Sequence, residues 1–208
     1  MASGSTTFRT NRPLQLLCAW LVIAWCITAI EPVDRMDWFL ENLLVFFYSF
    51  LLIFSYRYFS FSNTSYLLFS IFMTLHLIGA HYTYAEVPFG YWLQEFFNFQ
   101  RNHYDRIVHF SYGLLLAYPV QEVLLRVSQI KRSWSYFVTT NIILAFSSFF
   151  ELLEMWIAQL VSPELGVAYL GTQGDSWDAQ RDMFLALLGA SISMLFCLYR
   201  NRYKSFAG

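Results

Sequence analysis

The sequence predicts an all-α fold: a polytopic membrane helical bundle of about six transmembrane helices, forming one integral membrane domain over residues 1–208. Three observations carry that expectation. Only 13% of the residues are charged, against roughly 25% in ordinary soluble domains. Hydrophobic residues make up 57% of the chain and aromatics 21%, with a mean hydropathy of +0.43. Apolar runs of about 20 residues, the length that crosses a bilayer, recur from end to end. A soluble chain of this size would have to cover itself with charge. The formal net charge of −1, with no basic stripe, argues against a nucleic-acid partner. Cys18, Cys26 and Cys197 lie inside apolar runs and read as small hydrophobes rather than a disulfide framework.

The spans follow in order. The first, residues 14–30, comes after Arg9 and Arg12 and has the outline of a signal peptide. Its end, Cys26-Ile27-Thr28-Ala29-Ile30, lacks the small-x-small pattern of a cleavage site, so an uncleaved anchor is expected. The second covers 38–56 and ends at Arg57. The third, 66–84, contains His76 and His81. The fourth, 107–125, ends at Arg126, the fifth is 136–161, and the sixth, 183–199, ends at Arg200. Six spans put both termini on one side. Nine of the 13 basic residues fall on that side, and only Arg35, Arg101, Arg106 and Arg181 fall opposite. The excess of Lys and Arg in short loops marks the cytoplasm. Both termini are therefore expected to be cytoplasmic, with loops 31–37, 85–104 and 162–181 facing outward. The 85–104 loop interleaves Phe89, Tyr91, Trp92, Phe96, Phe97 and Phe99 with Glu95, Asn98 and Arg101. That composition suits the membrane interface, although a loop packed on the bundle would also use it.

The ionisable residues concentrate at the outward end, where charge beside hydrocarbon is costly and marks function by default. Asp105 and His109 are four apart, so they share a helix face. The carboxylate can orient the imidazole or ligate a cation with it, or simply cap the helix. Glu151 and Glu154, three apart, are surrounded by Phe146, Phe149, Phe150 and Trp156. Two carboxylates in such a helix must share a proton, pair with a cation or bind a metal. The segment 171–182, Gly-Thr-Gln-Gly-Asp-Ser-Trp-Asp-Ala-Gln-Arg-Asp, adds Asp175, Asp178 and Asp182, more acid than a helix start needs. His76, His81, His103 and His109, all the histidines of the chain, lie on the outward side. The candidate catalytic residues are thus Glu151, Glu154, Asp105 and Asp178. The candidate metal ligands are His76, His81, His103, His109, Glu151 and Asp182. No HExxH, GxSxG, P-loop or CxxC pattern occurs.

Four stretches carry a resemblance. They are His76 with His81-Tyr82-Thr83-Tyr84-Ala85-Glu86-Val87-Pro88-Phe89-Gly90; Asn102-His103-Tyr104-Asp105-Arg106 running on to His109-Phe110; Glu151 with Glu154; and Gly174-Asp175-Ser176-Trp177-Asp178-Ala179-Gln180-Arg181-Asp182. Together they resemble the YjdF family of bacterial inner-membrane proteins over nearly the whole chain. The resemblance implies a multi-pass protein of the cell inner membrane and no particular activity. A looser likeness extends to VanZ-like membrane proteins, through Asp105, His109, Phe110, Glu151, Arg181 and Asp182 in that order.

Three functional readings stand on these residues. The leading one is a metal-dependent enzyme acting on a lipid or lipid-linked substrate at the outer leaflet, with Zn or Mn as the divalent ion and a spare carboxylate as general base. A transporter or ion-coupled carrier would continue the polar path toward the cytoplasm, where Glu122 and basic loop residues are the main candidates. A non-catalytic protein would use the cluster only to lock its helices. Interhelical hydrogen bonds of about 0.6 kcal/mol each offset little of such a burial cost.

Overall fold

The computed structural model describes residues 7–206. Among these the chain is helical with no strand. A short 3-10 turn (Phe8–Thr10) leads into α1 (Arg12–Thr28), α2 (Arg35–Ser55), α3 (Asn63–His81), α4 (Pro88–Phe97), α5 (Tyr104–Arg126), α6 (Arg132–Leu160), α7 (Pro163–Leu170) and α8 (Asp178–Phe206). The six long helices overlap the six expected spans; α4 and α7 are short helices within the segments 85–104 and 162–181.

The helix starts are written locally. Asn11 accepts from the Leu14 N–H, Asp34 from Met36 and Asp37, Ser62 from Ser65, and Ser162 from Leu165. These side chains satisfy N–H groups that the first turn leaves orphaned. Pro88 and Pro163 open α4 and α7, where a missing N–H costs nothing. α3 stops at His81, three residues before the expected end of that span. Thr83 (φ 50°) and Tyr84 (φ 53°) are both left-handed, a conformation bulky residues adopt at a cost. That turn swings Tyr84 back against the bundle.

Four helices, α2, α3, α6 and α8, are long and apolar enough to cross a membrane. The 17-residue α1 is apolar but shorter, at about 25 Å of rise near the lower limit for spanning. In the least apolar long helix before α8, α5, only the last residue, Arg126, is exposed. The helix packs between α3, α6 and α8, which cover its polar residues. The outer faces of the bundle are apolar: Leu16, Ile53, Leu195 and Phe196 are all exposed, as lipid-facing residues should be.

The tightest crossing joins α5 to α8. A Cβ on Gly113 would lie 1.9 Å from the Ala186 carbonyl oxygen, and one on Gly189 would lie 2.3 Å from that of Phe110. Ala117, Ala186 and Ala190 are fully buried in the same region. Small residues let membrane helices approach backbone to backbone. This seam brings Asp105 and His109 of α5 beside Asp182 of α8.

Candidate functional site

The polar end of the bundle holds two different arrangements of charge. In the first, arginines answer carboxylates. Arg101 is buried and forks onto Asp178, which it meets through both terminal nitrogens. It also donates to the carbonyls of Thr172 (2.9 Å) and Gly171 (3.2 Å). Arg106 donates to Asp175 and, at 3.3 Å, to Asp178, while Arg181 reaches Asp175 at 2.6 Å. The fork-on-carboxylate geometry is the strong form of ion pair. Asn102 clips the same loop: its amide donates to the Val87 carbonyl, its oxygen accepts from the Tyr104 N–H, and its backbone N–H meets Gln173. Gly90 is required there, because a Cβ would sit 1.7 Å from the Asn102 side-chain oxygen.

In the second arrangement, carboxylates and one imidazole face each other without a cation. His109 Nε2 lies 3.5 Å from Asp105 Oδ1 and 3.6 Å from Glu151 Oε1. One ligand atom each of Asp105, His109 and Asp182 falls within 4.8 Å of the other two. Glu151 and Glu154 are three apart on α6 and share its face. Glu151 Oε1 and Asp182 Oδ1 are buried without a hydrogen-bond partner. Unsatisfied buried polar atoms are rare in folded proteins and call for an explanation, an ion among them.

A further pair extends this cluster. Asp37 and Glu41 of α2 are buried, and Asp37 Oδ2 and Glu41 Oε2 also lack partners. Asp37 falls in the expected loop 31–37 and Glu41 inside the expected span 38–56, so neither joins the candidate residues of the sequence. Their four-residue spacing, the same as that of Asp105 with His109, was the available signal.

The four histidines separate. His76 is fully buried, with Nε2 3.1 Å from the Glu41 carbonyl and Nδ1 2.5 Å from the Tyr84 hydroxyl. A carbonyl can only accept, so Nε2 carries the proton, Tyr84 donates to Nδ1, and both ring nitrogens are engaged. His81 meets the Thr28 carbonyl through Nδ1 at 2.9 Å, at the α1–α3 end. His103 accepts from Arg106 at 3.3 Å and packs on Phe99. Burial, then the Arg106 and Arg101 charges, hold its imidazole below the ordinary histidine range. His76 Nε2 also lies 3.9 Å from Glu41 Oε2, and His109 stands between two carboxylates. Of the candidate catalytic set, Asp105, Glu151 and Glu154 join it, while Asp178 belongs to the arginine network.

An all-helical bundle with lipid-facing apolar surfaces and a polar cluster between its helices defines an integral membrane protein. The chain belongs to the family described as "Predicted membrane protein (DUF2238)", which it matches over residues 13–203. It is 36% identical over 191 residues, covering 90% of this chain and 91% of the relative, to Inner membrane protein YjdF of Escherichia coli (strain K12). No solved structure matches it.

Proposed function

We propose that this protein is a metal-dependent membrane enzyme acting on a lipid or lipid-linked substrate, with its polar end facing outward from the cell inner membrane and both termini cytoplasmic. The observation that carries the reading is the convergence of Asp105, His109 and Asp182 within 4.8 Å, beside carboxylate oxygens that no protein group satisfies. One imidazole with carboxylates suits Zn or Mn. Such an ion would supply an activated water or polarise a phosphoryl or carbonyl oxygen. Glu151 and Glu154 stand next to this set, and either can accept a proton from the attacking group. Asp175 and Asp178 do not take part: their arginine partners fasten the loop before α8 to α5, which sets the position of Asp182.

The carrier reading lacks support at the opposite end of the bundle. Glu122 there is closed off by Ser62, Ser65 and Arg126. Elemental analysis of the detergent-solubilised protein tests the metal directly. Purified wild type should carry about one divalent ion per chain, as a single site requires. His109→Ala and Asp182→Asn should each lose the ion while eluting as folded protein. Wild type that is folded, metal-free and unaltered by added Zn or Mn would refute the proposal.

A further inference from the structure

A cavity of about 430 Å³ runs down the bundle from this cluster, within the ordinary range of roughly 300–1,000 Å³ for ligand pockets. At one end it is lined by His76, Tyr84, Asp105, His109 and Glu154. Toward the other its walls are Leu51, Phe69, Leu116, Val120 and Ile143. α3 and α5 pack together behind it. α7 packs on α6 and touches α2 across the polar end. Below α7, α2 and α6 form no packed interface, and the apolar residues on the two rims are open: Phe47 is 57% exposed and Phe146 56%. Those rims belong to two of the helices long and apolar enough to cross a membrane, so the gap between them faces hydrocarbon.

We infer that this cavity is the seat of one acyl chain of a bilayer phospholipid, which enters sideways between α2 and α6 and brings its headgroup to the Asp105–His109–Glu154 end. The inference rests on the proposed function and assigns that site its substrate class. Polarity and length both support the occupant. The ionisable carboxylates and imidazoles of the lining lie only where a headgroup would sit; Tyr48, Tyr112 and Ser147 follow, and the rest is apolar, which is the profile of a phospholipid standing in one leaflet. Asp105 and Val120 bound it along α5 and are separated by about 22 Å at 1.5 Å per residue. That exceeds the roughly 15 Å depth of one leaflet's hydrocarbon, so a full chain fits. The open side leaves the second chain in the bilayer. The headgroup end is strongly acidic, so a bare lipid phosphate would be repelled there; a bound divalent ion would remove that repulsion.

The test uses full-length protein in phospholipid nanodiscs containing a phospholipid with a photoreactive diazirine at the end of one acyl chain. After irradiation, labelled residues are located by mass spectrometry and metal content is measured on the same sample. The expected labels fall on Phe69, Leu116 and Ile143, which are buried within the protein, as well as on exposed residues of α8 such as Phe196. Ser147→Phe places a ring into the cavity and should abolish the interior labels while leaving those on α8. Val120→Phe, at the apolar end, provides a second blocked variant should the first fail to fold. Labels confined to outward-facing residues in wild type would overturn the chain seat, whatever the metal content. Interior labels on metal-free protein would support the seat while overturning the metal reading.

Discussion

Two glutamates of this bundle have opposite surroundings. Glu122, near the end of α5, accepts from the Ser62 N–H (2.9 Å), the Ser62 hydroxyl (2.9 Å) and the Ser65 hydroxyl, and pairs with Arg126 one turn on. It sits at the N-terminus of α3, where the helix dipole favours an anion. Every feature of that site explains its charge. Glu151, at the other end, lies 3.6 Å from His109, and its Oε1 has no hydrogen-bond partner. Both are carboxylates in apolar helices, so burial alone does not separate structure from function. Compensation does: one site is complete within the protein, and the other leaves carboxylate oxygens without a partner.

The arginine network beside the open cluster provides the largest test of this contrast. Arg101 is the principal partner of buried Asp178. Arg101→Met leaves that carboxylate with only a 3.3 Å contact to Arg106. Removing one partner of a buried pair costs about 3–5 kcal/mol, so this variant should unfold well below wild type in a thermal melt in detergent. A melt within the wild-type range would place Asp178 with the open cluster rather than the closed network.

A smaller effect separates the two ends directly. Glu122→Ala strips the Ser62 and Ser65 donors of their acceptor and should cost about 1–3 kcal/mol, the usual penalty for buried groups left unpaired. Asp182→Asn, measured in chelator, removes one of several mutually repelling carboxylates and should be neutral or stabilising by up to about 1 kcal/mol, the range of weakly coupled charge changes. Added metal should reverse that order by stabilising wild type alone. Equal losses for both variants in chelator would show that the polar cluster is as self-sufficient as the Glu122 site.

The fold was readable because it depends on composition and run length. Each of the six apolar runs became a long helix, and Asn11, Asp34, Ser62 and Ser162 marked helix starts. The gathering of Asp105, His109, Glu151, Glu154 and Asp182 at one end of the bundle followed from threading those runs. The partition within that gathering did not. Arg101 lies 77 residues from Asp178, and pairing across such a distance depends on the α5–α8 seam that Gly113 and Gly189 permit. Two left-handed residues, Thr83 and Tyr84, turn a hydroxyl onto His76 and satisfy a histidine that looks available in the sequence. Asp37 and Glu41 could have been found by spacing, since they repeat the i, i+4 spacing of Asp105 with His109 and of Asp178 with Asp182.

The smallest expected effect is a pH dependence at the edge of the closed network. The Trp177 N–H foremost, with Arg181 and Arg106, holds the Asp175 carboxyl below the usual carboxylate range. A carboxyl with a lowered folded-state pKa binds its proton less readily than in the unfolded chain. Its contribution to stability is therefore complete above the unfolded value of about 3.9 and is lost as pH falls through the lower folded value. Asp175 is the titrating member of its contact with Arg106 and Arg181. Thermal melts from neutral pH down to about 3, spanning the unfolded carboxylate value, should show a decline that Asp175→Asn reduces. The site is partly exposed, so added salt should blunt the difference between the two proteins. A decline of the same depth in Asp175→Asn would move the acid sensitivity away from this contact and onto the unpaired carboxylates, against the division between a closed network and an open cluster.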